Sequence, residues 1–433
     1  MSKTKEPRMS NTVELPVWVV VAFALIFVIV ALLLWSVKRR QETRLHVGDP
    51  GELSAMMQSI VGLSHGSLVK GNDIRVIQNG AFFDAILGDI ASAKKSVHFE
   101  TYVWWKGEIT GRVAEALAAK AREGVPVRVL LDASGSTRMD DELFTLMKDA
   151  GCHIAKFHPL RLSNLGRMNN RDHRKLLVVD GRVAIVAGHG VAQEWTGNGQ
   201  DKKHWRDTAI RIKGPLVNQI QTVFSENWIE ETGDVFSGDE YFPQLEAEGN
   251  VEAHVAYASP SGSVSSVELL HLSAIAAARK QILIQNPYFL PDPADIEVFA
   301  AAAKRGVDVQ VMMPSDDVTD SAIVQHASHH RFGALLGKGI RIFEYKKTLN
   351  HQKVIIVDGI WASVGSTNFD DRSFEVNDEI SVGIVDKRIA AELIAAWNDD
   401  MKHTEEWTLE SWKKRSLWHR LVDFSAFLLN EQL

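Results

Sequence analysis

The run His173-Arg174-Lys175-Leu176-Leu177-Val178-Val179-Asp180-Gly181 recurs as His351-Gln352-Lys353-Val354-Ile355-Ile356-Val357-Asp358-Gly359. Both copies read H-x-K-x-x-x-x-D-G, with four apolar residues in the gap. Two such copies demand a chain built from equivalent halves, which constrains the fold more than composition does. Side chains alternate along a strand, so His173 and Lys175 share a face, as do His351 and Lys353. The short, β-branched-rich apolar runs Leu176–Val179 and Val354–Val357 suit central strands buried on both faces. Asp-Gly then makes the turn.

The surroundings repeat too, at about 180 residues. Ala93-Lys94-Lys95-Ser96-Val97-His98-Phe99 matches Ala278-Arg279-Lys280-Gln281-Ile282-Leu283-Ile284, and Gly124-Val125-Pro126-Val127 matches Gly306-Val307-Asp308-Val309. Spans 109–122 and 294–304 have helical apolar spacing and lead into glycine. Each half therefore reads as an α/β unit. The expected fold is two pseudo-symmetric α/β halves around one composite site, with equivalent strands face to face across a pseudo-two-fold axis. The halves are read as residues 46–248 and 249–400.

Residues 15–35 contain no charged side chain. Twenty-one residues at about 1.5 Å each span roughly 30 Å, the thickness of a bilayer core. Trp18 and Trp35 lie near the ends, and Lys38-Arg39-Arg40 follows. A cleaved signal peptide would be shorter and end in a small-x-small site, so the reading is an uncleaved anchor (residues 1–45, helix about 15–37). Lys38, Arg39, Arg40 and Arg44 outweigh Lys3, Lys5 and Arg8, which are diluted by Glu6 and Glu14. That balance favours a cytoplasmic catalytic domain. The residues 401–433 form a tail in which Leu417, Leu421, Phe424 and Leu428 make one helical stripe, with Lys413, Lys414, Arg415 and Arg420 near its start. An interfacial helix on anionic lipid and a helix packed on the protein's own core both fit that pattern.

With 48 Lys and Arg against 55 Asp and Glu, the chain lacks the basic excess of a nucleic-acid binder, so none is expected as a partner. Cys152 is the only cysteine, which excludes an internal disulfide and a Cys-rich metal site. A histidine titrating near 6.5 can serve as nucleophile or proton donor, and an adjacent lysine supplies charge for a phosphate oxygen. Two such pairs outline a phosphodiester-cleaving site in which ammonium groups stand where a metal would otherwise act. No metal or cofactor is expected there.

These motifs resemble the phospholipase D superfamily, most closely its bacterial cardiolipin synthase-type members, from about residue 70 to the C-terminus. The second copy continues Gly365-Ser366-Thr367-Asn368-Phe369-Asp370-Asp371-Arg372-Ser373-Phe374 and then Asn377 and Glu379. The first continues to Glu194-Trp195 and Trp205-Arg206-Asp207. Glu100-Thr101-Tyr102-Val103-Trp104 and Asn286-Pro287-Tyr288-Phe289 are similar to the segments that open each family half. The resemblance implies two phospholipase D-like domains and a two-step displacement, with His173 as nucleophile and His351 as acid and base. It implies phosphate contacts from Lys175, Lys353 and Asn368. Asp207 and Glu379 are candidates for orienting the histidines. Asp180 and Asp358 complete the catalytic motifs and are equally read as braces of the strand-end turn. Opposite Asn368 the first copy has Gly190, and His189 beside it is read as capping a turn.

The anchor, tail and resemblance together point to phospholipid substrates at the inner membrane of a bacterium. The expected activity is phosphatidyl transfer of the cardiolipin synthase type, to an alcohol such as phosphatidylglycerol. Hydrolysis with water as acceptor, a membrane-tethered nuclease and a non-enzymatic scaffold are the alternatives. Oligomeric state is not indicated.

Overall fold

The computed structural model describes residues 16–37, 51, 53–159, 167, 169–260 and 264–429, without the side chains of 31–37 and 54. The apolar N-terminal run forms a helix, Val17–Val37, that is a compact unit by itself. The side chains of this helix are described over 17–30, and among the residues so described no helix is long and apolar enough to cross a membrane. The basic flank at 38–44 lies outside them.

From residue 44 onward the chain is one compact unit. The first half contributes β1 (Val69–Gln78), β2 (Val97–Thr101), β3 (Val127–Asp132), β4 (His153–Phe157), β5 (Leu176–Val179), β6 (Val183–Ala187) and β7 (Thr208–Lys213). The second contributes β8 (Val251–Ala258), β9 (Gln281–Gln285), β10 (Asp308–Pro314), β11 (Arg341–Tyr345), β12 (Val354–Val357), β13 (Trp361–Gly365) and β14 (Glu379–Val385), followed by β15 (Thr404–Trp407). The sheet order is β15-β11-β10-β9-β12-β13-β14-β8-β1-β7-β6-β5-β2-β3-β4. From the central β1–β8 pair outward both halves follow the same sequence of strands, so the repeat is a repeat of topology. β1 and β8 are antiparallel, as a pseudo-two-fold between them requires.

The motif strands sit inside each half. Leu176 and Val178 pack into the core shared by both halves, whereas Leu177 and Val179 pack under the helices of the first half. Val354 and Ile356 likewise face the shared core, and Ile355 and Val357 the second half's own core. Burial on both faces is why these runs are continuously apolar rather than alternating. Each such side chain contributes roughly 1.5–3 kcal/mol. Asp180-Gly181 and Asp358-Gly359 all have positive φ, between 54° and 67°. With Arg182 and Ile360 they make the three-residue turns of the antiparallel hairpins β5–β6 and β12–β13.

Helices cover the sheet, including Glu108–Arg122 and Pro293–Lys304, the latter started by a capping box from Asp292. Beyond β15 the chain forms a helix, Leu417–Phe427, packed on the helix Ala322–Leu336. It is inverted relative to an ordinary surface helix. Asp423 and Ala426 are buried, while Leu417, Trp418, Leu421, Phe424 and Leu428 are 48–82% exposed. Arg415 is not part of the exposed basic cluster, because it turns inward onto Asp423.

Candidate active site

Each motif histidine lies just before its buried strand and is stitched by backbone to the opposite half. The His173 amide donates to the Asp378 carbonyl at 2.9 Å, and the Asp378 amide donates to the Arg171 carbonyl at 2.9 Å. Across the pseudo-axis, the His351 amide donates to the Arg206 carbonyl at 2.8 Å, and the Arg206 amide to the Leu349 carbonyl at 2.9 Å. Asp378 and Arg206 directly precede Glu379 and Asp207. The bridges therefore deliver the carboxylate of one half to the histidine of the other.

Buried ion pairs of opposite polarity hold the two bridges. Arg174, at the variable motif position, reaches Glu226 at 2.7 Å and Asp378 at 3.4 Å. In the other half Arg206 binds Asp400 at 3.0 Å, and Gln352 donates to the same carboxylate at 3.1 Å. Removing one partner of such a buried pair typically costs about 3–5 kcal/mol.

The side chains then meet reciprocally. His173 Nδ1 lies 2.8 Å from Glu379 Oε1, and His351 Nδ1 lies 2.8 Å from Asp207 Oδ2. With Nδ1–H donating to the carboxylate, Nε2 is the nitrogen left for chemistry. Lys175 donates to the His173 carbonyl at 2.5 Å, and Lys353 to the His351 carbonyl at 2.7 Å. The Lys353 ammonium is also 2.9 and 3.0 Å from the two ring nitrogens of His351. His173 and His351 expose only 11% and 9% of their side chains.

Burial sets the electrostatics. It drives His173 well below its ordinary value, reinforced by Lys175 and Lys353, and takes His351 to about 4, reinforced by Lys353. It also takes Lys175 to about 7 and Lys353 to about 8. The carboxylates differ. Burial would raise Asp207, but His189, His351 and Lys353 outweigh it and hold the group ionised. Glu379 is pushed up by burial to about 7 despite Lys175. Burial thus disfavours the charged forms of both imidazoles and leaves two lysines near their titration points, while Asp207 works to restore a proton to His351. An arriving phosphodiester anion favours the charged lysines and anchors itself on them.

The halves are unequal for steric reasons. Asn368 is buried, and its Oδ1 has no partner among the described residues. At Gly190 a Cβ would lie 2.7 Å from Val103 Cβ and 3.0 Å from the Trp195 ring. The indole thus occupies the space an Asn side chain would need, and its Nε1 donates to Asp207 Oδ2 at 2.8 Å. Gly188, opposite Ser366, leaves room for the Asp207 carboxylate, whereas Ser366 Oγ donates to Glu379. His189 stacks on Phe82 at 4.5 Å and binds the Asn79 carbonyl at 3.0 Å.

The motif aspartates stand apart from this cluster. Asp180 accepts from the amides of Lys94, Lys95 and Ser96, and Asp358 from those of Arg279, Lys280 and Gln281. They close the far ends of β5 and β12, about 13 Å of strand from the lysine end. Their place in a catalytic set is therefore corrected: they lock the loop before the neighbouring strand, and motif membership did not imply site membership. Aromatic walls went unread in the sequence. Tyr102 lies 5.1 Å from His173, and Trp195 and Trp205 lie 5.2 and 5.9 Å from His351. Asp320, bonded to the Tyr288 hydroxyl at 2.8 Å, raises the proton affinity of both His351 and Lys353. It comes from the loop between β10 and the helix Ala322–Leu336. Among the described residues, His and carboxylate groups arranged to hold a metal occur elsewhere, around His329.

The family described as cardiolipin synthase, PLD-like domain, matches residues 86–228 and 271–401. A cardiolipin synthase of Staphylococcus aureus (strain Mu50) is 34% identical over 379 residues, covering 87% of this chain and 76% of the relative. A major cardiolipin synthase of Bacillus subtilis (strain 168) is 33% identical over 371 residues, covering 85% and 77%. Among solved structures, the phosphatidylserine synthase of Haemophilus influenzae superposes with a TM-score of 0.69 at 13% identity, over 88% of this chain and all of that one. The polyphosphate kinase of Porphyromonas gingivalis superposes at 0.54 and 12% identity, over 83% and 53%. At such identities these two likenesses concern the fold alone.

Proposed function

This chain belongs to the phospholipase D-like family of cardiolipin synthases, and from that premise we propose that it is a membrane-bound phosphatidyltransferase. The observation that carries the reading is the reciprocal pairing of His173 with Glu379 and His351 with Asp207, beside Lys175, Lys353 and Asn368. His173 Nε2 attacks phosphorus while His351 gives a proton to the departing alcohol oxygen. A phosphatidyl–histidine and free alcohol result. His351 then takes the proton from the acceptor hydroxyl, whose oxygen attacks phosphorus and releases His173. With phosphatidylglycerol as donor and acceptor, the products are cardiolipin and glycerol.

Two features support this division of labour. The ionised Asp207 favours an imidazolium at His351, the state a general acid needs. Glu379, near neutrality, holds a proton on His173 less strongly, as suits a nucleophile. The indoles of Trp195 and Trp205 beside His351 limit water there, which favours an alcohol as acceptor. Catalytic halves at 46–248 and 249–400 fit the strand repeat.

The test is product analysis of purified protein with labelled phosphatidylglycerol in vesicles, by mass spectrometry. Cardiolipin and glycerol are expected in equal amounts. Phosphatidic acid as the dominant product, despite abundant acceptor lipid, would make the protein a hydrolase instead.

The same reading places the apolar helix at 17–37 across the inner membrane, the large domain on the cytoplasmic side, and the 401–433 tail on the bilayer surface. What supports the last point is the exposed stripe Leu417, Trp418, Leu421, Phe424 and Leu428, flanked by exposed Lys413, Lys414 and Arg420. Replacing Trp418, Leu421 and Phe424 together by Ser in a form lacking residues 1–43 should lower binding to anionic vesicles about tenfold or more. Equal sedimentation of variant and parent with vesicles would remove the tail from the membrane.

A further inference from the structure

The inverted 417–427 helix is held by its polar side, and the groups that hold it converge. His326 and His329 from the helix Ala322–Leu336 meet His419 and Asp423 from the helix Leu417–Phe427. One ligand atom from each lies within 4.8 Å of the other three. His326 Nδ1 is 2.9 Å from Asp423 Oδ1, and His419 Nε2 is 3.6 Å from the same oxygen, beyond hydrogen-bond reach. His329 and Asp423 are fully buried.

Two ring nitrogens are left over. His329 Nδ1 and His419 Nε2 are buried and have no hydrogen-bond partner among the described residues. Buried polar atoms without partners are uncommon and call for a specific explanation. His329 Nε2 sits 2.8 Å from Glu344 Oε1 and therefore donates its proton there, which leaves the lone pair on Nδ1. A carboxylate behind a histidine in this way fixes the tautomer of a metal ligand and raises its basicity. Arg415 occupies Asp423 Oδ2, so Oδ1 remains for a ligand bond.

We propose that His326, His329, His419 and Asp423 form a four-coordinate site for a divalent first-row transition ion of the zinc class. Three imidazoles and one carboxylate at the corners of a tetrahedron match that ion's preferences, with bonds of about 2.0–2.2 Å. A tetrahedron with such bonds has edges of roughly 3.4 Å, and the four atoms as they stand lie within 4.8 Å of one another. The ion ties the last helix to the catalytic domain and keeps the helix's apolar stripe turned outward. It lies outside the phosphodiester chemistry of the two lysines. Neither pair of ligands is distinctive in sequence, since His326 and His329, and His419 and Asp423, are ordinary helix spacings about 90 residues apart.

The experiment uses the full chain in detergent, stripped with chelator and titrated with Zn²⁺ by calorimetry and with Co²⁺ by visible absorption. One equivalent per chain and the intense d–d bands of tetrahedral Co²⁺ are expected. His326→Gln and His419→Gln, both at partly exposed positions, should each weaken binding more than tenfold, and Glu344→Gln about 10–100-fold. Zn²⁺ should also slow hydrogen exchange across residues 417–427 in the parent but not in the double variant H326Q/H419Q. Circular dichroism and thermal melting of the stripped forms establish that the variants are folded. No stoichiometric binding in the parent, or undiminished binding in the folded double variant, would overturn the site.

Discussion

A His351→Ala enzyme given a phosphatidyl donor with an acidic leaving group, such as the p-nitrophenyl ester, should release one equivalent of nitrophenol in a burst and stop. The covalent phosphatidyl group should be found by mass spectrometry on the peptide carrying His173. The reason lies in what each step requires. Attack by His173 needs a neutral imidazole, which burial already provides. Departure of an ordinary alcohol needs a proton from His351, but departure of nitrophenolate does not. Collapse of the intermediate needs His351 again, as base toward the acceptor. His173→Ala should show no burst with either donor. With phosphatidylglycerol both variants should lose about 10⁴-fold or more in rate, as the loss of either member of a nucleophile–base pair does elsewhere. A burst from His173→Ala and none from His351→Ala would reverse the two roles.

The crossed hydrogen bonds lead to the second large effect. Asp207→Asn should lower turnover with phosphatidylglycerol by about 10²–10⁴-fold, because an amide cannot stabilise the imidazolium of His351 or select its tautomer. That loss should shrink sharply with the nitrophenyl donor in the first, burst step. Glu379→Gln should slow both donors alike, because its histidine acts as nucleophile whatever the leaving group. If each carboxylate served the histidine of its own half, these two patterns would be exchanged. Gly188→Ala should reproduce the Asp207→Asn pattern, since a methyl there meets the Asp207 carboxylate. Burst amplitude against leaving group, measured by stopped flow, separates the cases.

Much of this was legible in the chain because its signals are local. The four apolar residues of each motif, the Asp-Gly turn and the helix ends follow from contacts a few residues apart, and they appear in the fold where their patterns require. Asp207 and Glu379 could be singled out by their similar distance after each motif. Which histidine each would meet was not legible, because that partnership runs through the backbone bridges at Asp378 and Arg206. The missing Asn of the first copy was visible as Gly190, but its cause, the Trp195 ring, was not. The tail stripe was equally readable as core or membrane face. Its exposure depends on what the Ala322–Leu336 helix offers to pack against, which is a polar cluster around Asp423.

The sequence alone determined that there are two halves, that each places a histidine and a lysine before a strand buried on both faces, and that a carboxylate follows each motif at a similar distance. Periodicity and short-range spacing encode those facts. The tertiary structure decided that neither half completes its own site. The pseudo-two-fold between β1 and β8 carries each carboxylate to the opposite histidine, and only a contact between distant segments can specify that exchange.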